Sequence, residues 1–150
     1  MADTRFRKEA EDWVRTKALP ELLKQTFSTR NLKLESGGVF EFDAVSDDGI
    51  IVASISTSSS RTSGNNLCTG AIHKLRSDML FLLLARAEQP YIVLTQADMY
   101  AYWMNERERG RVPLTIRFLH TPLPDHLAQR LAESRTKASE EMMSSRRVRP

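Results

Sequence analysis

From Thr4 to Phe27 the apolar residues Phe6, Ala10, Trp13, Val14, Leu22, Leu23 and Phe27 recur at helical spacing. Pro20 interrupts them because it has no amide proton to give a helix interior. The pattern therefore predicts one helix to about Ala18 and a second starting at Pro20. Asn31 to Ser36 reads as a short strand that Gly37-Gly38 ends. Val39 to Val45 and Ile50 to Thr57 are β-rich runs joined by Ser46-Asp47-Asp48-Gly49, whose Asp-Gly pair suits positive φ. With that turn, Val45 should face Ile50, Asp43 should face Val52 and Glu41 should face Ser54. Alternation then gathers Glu41, Asp43, Ser54 and Ser56 on one sheet face, and Phe40, Phe42, Ala44, Ile51, Ala53 and Ile55 on the other.

Thr57 to Asn66 carries no apolar residue and reads as a surface loop. A helix is expected from Leu67 to Ala87, with Leu67, Ala71, Leu75, Met79 and Leu83 on one stripe and an apolar, deeply buried second half. Tyr91 to Leu94 has the continuous apolar character of a strand covered on both faces. Thr95-Gln96-Ala97-Asp98 has capping-box spacing and opens a helix to about Glu108. Leu114, Ile116 and Phe118 alternate as in a half-exposed strand. Pro124 and Asp125 begin a last helix with Leu127 and Leu131 inward; it should fray beyond Ala132. The order predicts an α/β sandwich: one domain over residues 1–143, a mixed five-stranded sheet with helices on both faces, and a basic, disordered tail over 144–150. The unit from Ile50 through the long helix to Tyr91 reads as a βαβ crossover with parallel strands.

Composition narrows the class. The 150 residues are 41% hydrophobic and 27% charged, which is ordinary for a globular protein and unlike disordered, collagen-like or disulfide-rich chains. A single cysteine, Cys68, makes no internal disulfide, and no secretory leader pattern opens the chain, so a cytoplasmic setting is expected. The longest nearly apolar run, Met79 to Ala85, is far short of the roughly 20 residues that span a bilayer, and no membrane partner is expected. The net charge of +3 is mild. Much of it is local, in the tail that carries Arg146, Arg147 and Arg149.

The order of elements, the hairpin Val39 to Thr57 and the acid Asp43 together resemble the restriction-endonuclease-like, or PD-(D/E)XK nuclease, superfamily over roughly Phe6 to Leu119. The resemblance implies a core of helix, three strands, helix and strand, with Asp43 as the metal-binding aspartate. On the next strand that family carries an acid, any residue, then a lysine. Here those positions are Ser54 and Ser56, so the implied active-site motif is degenerate. Some members supply the lysine from the following helix, which makes Lys74, and after it Lys33, the replacement. If the site is active, the resemblance implies Mg²⁺ held by Asp43 and Glu41, activating a water for phosphodiester attack. No other cofactor is indicated.

Each candidate has a plainer account beside it. Glu41 and Asp43 can accept hydrogen bonds from serines or pair with an arginine of the first helix, and Lys74 can be a solvated helix residue. Arg61, in a loop that ends at a helix N-terminus, can hold a phosphate together with backbone amides, or merely decorate a flexible loop. His73, His120 and His126 lack metal-ligand spacing. Tyr100, Tyr102 and Trp103 suit core or subunit packing better than base stacking, and Asn105 to Arg111 reads as a solvated helix end. Three functions follow. The favoured one is a catalytically degenerate nuclease-like domain that binds nucleic acid or serves in assembly, with Arg61, Lys74, Arg146, Arg147 and Arg149 as DNA or RNA contacts. The second is an active nuclease with a displaced lysine. The third is an interaction module, self-associating as a homo-oligomer through Tyr102, Trp103 and Met104.

Overall fold

The computed structural model describes the backbone of residues 4–148 and the side chains of residues 4–136. In chain order the elements are α1 (Thr4–Trp13), a π-helical segment (Val14–Ala18), α2 (Leu19–Leu23), β1 (Phe27–Lys33), β2 (Val39–Ser46), β3 (Ile51–Ser56), α3 (Thr69–Leu84), β4 (Gln89–Leu94), α4 (Ala97–Glu108), β5 (Arg117–His120) and α5 (Asp125–Val148). One five-stranded sheet has the order β1-β2-β3-β4-β5. Its first two pairings are antiparallel and its last two parallel. The expected mixed sheet and the parallel pairing of β3 with β4 are both present.

Helices cover both faces. Val45, Val52, Ile92 and Leu94 of the sheet pack with Ile72, Leu75, Met79 and Leu82 of α3 and with Met99 and Trp103 of α4. On the opposite face Ala44, Ile51, Ala53, Ile55, Tyr91 and Val93 pack with Val14 and Leu19. Burial of these apolar side chains, at roughly 25 cal/mol per Å² removed from water, holds the three layers together. α5 lies against α1, with Arg130 of α5 donating to Glu9 at 3.2 Å. No helix among the described residues is long and apolar enough to cross a membrane.

Several local expectations are corrected. The boundary expected at Ala18 stands, α2 beginning at Leu19 with Pro20 in its first turn, but the turn before it is a π-helical segment, where Leu19 N–H reaches back to Val14 O. Widening the helix by one residue per turn lets the chain continue past a residue that cannot donate. On α3 the inward positions are Ile72, Leu75, Asp78, Met79 and Leu82, whereas Leu80 and Leu83 are 54% and 42% exposed. Its second half is therefore apolar on its outer side as well as its inner one. Leu114 is 88% exposed and precedes β5, which begins only at Arg117. α5 continues past Ala132 to Val148, and the side chains of Arg146, Arg147 and Arg149 lie outside the described residues.

The hairpin of β2 and β3 is shifted from the expected register by two residues: Val45 pairs with Val52 and Ala44 with Ala53. Side chains of the turn explain this. Asp48 Oδ1 accepts from Ser46 Oγ at 2.6 Å and from Ile50 N–H at 3.0 Å, and Ser46 Oγ accepts from Ile51 N–H at 3.0 Å. Ile50 is thereby drawn into the turn, with Gly49 at φ 77°. Those bonds, the one from Ser46 first, hold the Asp48 carboxyl below its usual range.

A β-bulge also breaks the alternation of β2. Ser28 pairs with Val45 and Arg30 with Phe42, so Thr29 alone opposes both Asp43 and Ala44. Phe40 and Phe42 therefore join the core under α3, while Ala44 joins the core on the other face. The expected grouping of Phe40 and Phe42 with Ala44, and of Glu41 with Ser54, does not form.

Candidate functional site

Asp43 stands at the bulge, where β2 and β3 diverge. Its Oδ2 accepts the Ile55 N–H at 2.8 Å, taking the place a carbonyl of β2 would have held had the ladder continued. Its own backbone carbonyl accepts from Thr29 Oγ1 and from Arg15 Nη1, each at 3.1 Å. Arg15 also pairs with Asp12. One half-buried aspartate thus ties β1, β2, β3 and the first helical layer together.

The two serines at the positions of the nuclease acid and lysine lie on β3 beside it. Ser54 is buried, and Ser56, half-buried, accepts from Ser58 N–H at 3.3 Å. Both alternate with Ile51, Ala53 and Ile55, so they share the α3 side of the sheet with Val52. Lys74 reaches the same region from α3. Its Nζ pairs with Asp78 Oδ2 at 3.1 Å, the lysine side chain being 70% exposed and the aspartate 8%.

Glu41 is not brought to this cluster. It is exposed and pairs in register with Asn31, on the side of β2 away from Phe40 and Phe42. Lys33 is exposed at the end of β1 and lines a shallow hollow with Leu34, Glu35, Leu84, Ala85 and Arg86 instead.

Glu11 and Asp78 are the acids that do join Asp43. Burial, followed by the charge of Asp43, raises the Glu11 carboxyl above its ordinary value, against the pull of Lys74, Arg15 and Arg7. Burial likewise raises Asp78, with Lys74 opposing and Asp43 adding to the rise. Asp43 is therefore felt by a carboxyl from each helical layer, Glu11 of α1 and Asp78 of α3. The expected stripe of Leu67, Ala71, Leu75, Met79 and Leu83 passes over Asp78, yet the sequence carries a signal for it: it falls three residues after Leu75, with Lys74 one helical turn before it. Glu11 had no such signal, because solvated helix faces carry acids just as often.

The loop after β3 is better ordered than its composition suggests. Asp98, on the first turn of α4, does not reach back to form the expected capping box with Thr95. Its carboxylate accepts from Ser60 N–H at 2.9 Å, Ser60 Oγ at 3.1 Å and Ser59 Oγ at 3.2 Å, and also from Met99 N–H at 2.9 Å. Burial pushes that carboxyl up, but these four bonds outweigh it and hold it below its usual range. Beyond Ser60 the chain makes a small hairpin: Arg61 bridges Leu67, Cys68 N–H reaches Ser60 O at 2.7 Å, and Thr62 N–H reaches Asn66 O at 2.7 Å. Arg61 is exposed and donates to Asn65 O at 3.0 Å. Arg135 of α5 stands nearby; burial and the charge of Arg7 lower its affinity for its proton, while Asp98 and Cys68 favour it.

The aromatic and charged residues of α4 are structural. Trp103 is wholly buried, with Arg76 over its ring at 5.0 Å, and cannot offer the self-association surface expected of it. Glu106 is buried and paired with Arg76 at 2.6 Å and Arg111 at 2.5 Å, so the stretch from Asn105 to Arg111 is not simply a solvated helix end. The bond from Arg111 first, and that from Arg76, hold the Glu106 carboxyl low. His120 stacks on Tyr100 at 5.6 Å, and His73 and His126 are exposed. Cys68 is half-buried ahead of α3. Among the described residues no three His, Cys, Asp or Glu side chains form a group able to hold a metal ion.

The arrangement defines a class: an α/β protein with a mixed five-stranded sheet between helices and a mixed-charge cluster where two of its strands part. No family model, curated protein or solved structure matches the chain.

Proposed function

We propose that this chain is a restriction-endonuclease-like domain whose hydrolytic site is degenerate and whose present role is to bind the nucleic-acid backbone. The observation that carries this reading is the Asp43 carboxylate bridging the divergent strands, with Ser54 and Ser56 beside it. In an active site of that family this aspartate would turn its oxygens to Mg²⁺; here one oxygen accepts the Ile55 amide. The donors present do not fit the ion well. Asp78 is paired with Lys74, Glu41 lies elsewhere, and one Asp43 oxygen is taken by the Ile55 amide. What supports a binding role is the cations around the cluster: Arg7, Arg15 and Lys74 in the field of Glu11, Arg135 beside Arg7, and exposed Arg61 on the adjoining loop. Phosphate oxygens are the partners such groups select.

A second reading, an active nuclease with Lys74 as the displaced lysine, is favoured by one observation: Lys74 and Asp43 both act on Glu11. An end-labelled DNA or RNA, incubated with the protein and Mg²⁺ or Mn²⁺, separates the two. Replacing one electrostatic group that acts on the developing charge commonly costs on the order of 10²- to 10³-fold in rate. The degenerate reading expects no strong cleavage. Robust metal-dependent cleavage that Asp43→Asn abolishes would establish the second.

A further inference from the structure

The loop from Thr57 to Asn66 leaves β3 directly after Ser56 and carries Arg61, yet it contains no apolar side chain to bury. Such a segment is held by hydrogen bonds or not at all, because ordering its backbone costs on the order of 1 kcal/mol per residue or more. Three of the bonds that hold it converge on one carboxylate, that of Asp98, and they fix Ser59 and Ser60 to the first turn of α4. From the pinned Ser60, the bridge between Arg61 and Leu67 and the bond from Arg61 to Asn65 O set the direction of the guanidinium.

We infer that Asp98 is a positioning residue for nucleic-acid contact, its carboxylate locking the Ser59–Ser60 bend to α4 so that Arg61 is presented to a phosphate beside the polar end of β3. This inference rests on the binding role proposed above. Asp98 is negative, so as a bystander near a polyanion its removal would strengthen binding; as the lock that orients Arg61, its removal weakens binding.

The test combines two measurements on the full chain. Amide hydrogen exchange without nucleic acid reads the lock: Ser60 should lose protection in Asp98→Ala and keep part of it in Asp98→Asn, which retains one acceptor oxygen. Fluorescence anisotropy with a labelled DNA duplex, and with a single strand of the same sequence, reads the consequence. Losing one charge-assisted phosphate contact should weaken binding on the order of tenfold. Asp98→Ala should approach the loss seen in Arg61→Ala, and the double variant should lose no more than Arg61→Ala alone. Unchanged Ser60 protection in Asp98→Ala overturns the inference, as does binding that Asp98→Ala leaves alone or strengthens. Wild-type protein that binds neither probe overturns the functional reading instead, and this role of the lock with it.

Discussion

Asp43 takes over a task that the backbone of a regular strand performs for itself. Its carboxylate satisfies the Ile55 N–H where β2 has bent away, and removing it leaves a donor without its partner. Asp43→Ala should therefore cost about 1–3 kcal/mol of stability in urea denaturation, while Asp43→Asn, which keeps a side-chain carbonyl, should cost less. Glu11 behaves in the opposite sense. Because burial and Asp43 raise its carboxyl, there is a pH window between the unfolded and folded values in which the folded state holds a proton that the unfolded chain has released. Ionised Glu11 thus subtracts stability as pH climbs through the unfolded value and on past the folded one. Glu11→Gln should be more stable than wild type at neutral pH. That advantage should disappear in acid, below the unfolded carboxyl value of about 4.3, where Glu11 is protonated in both states. Chemical denaturation of the two proteins across pH measures it. Asp43 was legible from the sequence as one of two acids in a largely apolar strand, but its neighbours were not. Glu41 was grouped with it by strict alternation, which a single bulged residue reverses, and Glu11 reaches it only through the packing of two layers.

Among the elements, those with a strong local pattern could be read directly and those shaped by side-chain hydrogen bonds could not. The hairpin and the parallel crossover follow from hydrophobic periodicity and the Asp-Gly turn, whereas β1 begins at Phe27, ahead of the expected Asn31, and takes in a residue that helical spacing had claimed. The register was off by two residues because Ser46 and Asp48 draw Ile50 into the turn, a choice that periodicity does not contain. Asp98 likewise had the spacing of a cap but serves a loop 38 residues earlier in the chain. Two glycines in open space test how backbone conformation, rather than packing, shapes these elements. Gly49 closes the β2–β3 turn at φ 77°, so Gly49→Ala should destabilise the protein by about 1–2 kcal/mol. Gly70 is in the first turn of α3, where Gly70→Ala should stabilise by up to about 1 kcal/mol. The same chemical change should move the thermal midpoint down in one protein and up in the other.

The whole molecule sets a sheet between two helical layers and gathers acids and bases at one end of its central strands. Its overall charge of +3 is too small to draw a polyanion by itself, so the proposed binding would have to come from cations concentrated there and, by sequence, from Arg146, Arg147 and Arg149. The most direct measurement is the affinity for a labelled nucleic acid across a series of salt concentrations in the presence of Mg²⁺, with the probe recovered and sized afterwards. Each neutralised duplex phosphate contributes about −0.9 to the slope of log K against log salt. The account predicts binding at low salt that falls steeply as salt rises, a shallower slope when Arg61 and Lys74 are both replaced by alanine, and an intact probe. Absence of binding at low salt, binding indifferent to both salt and those two residues, or a probe cut by the wild-type protein would contradict it.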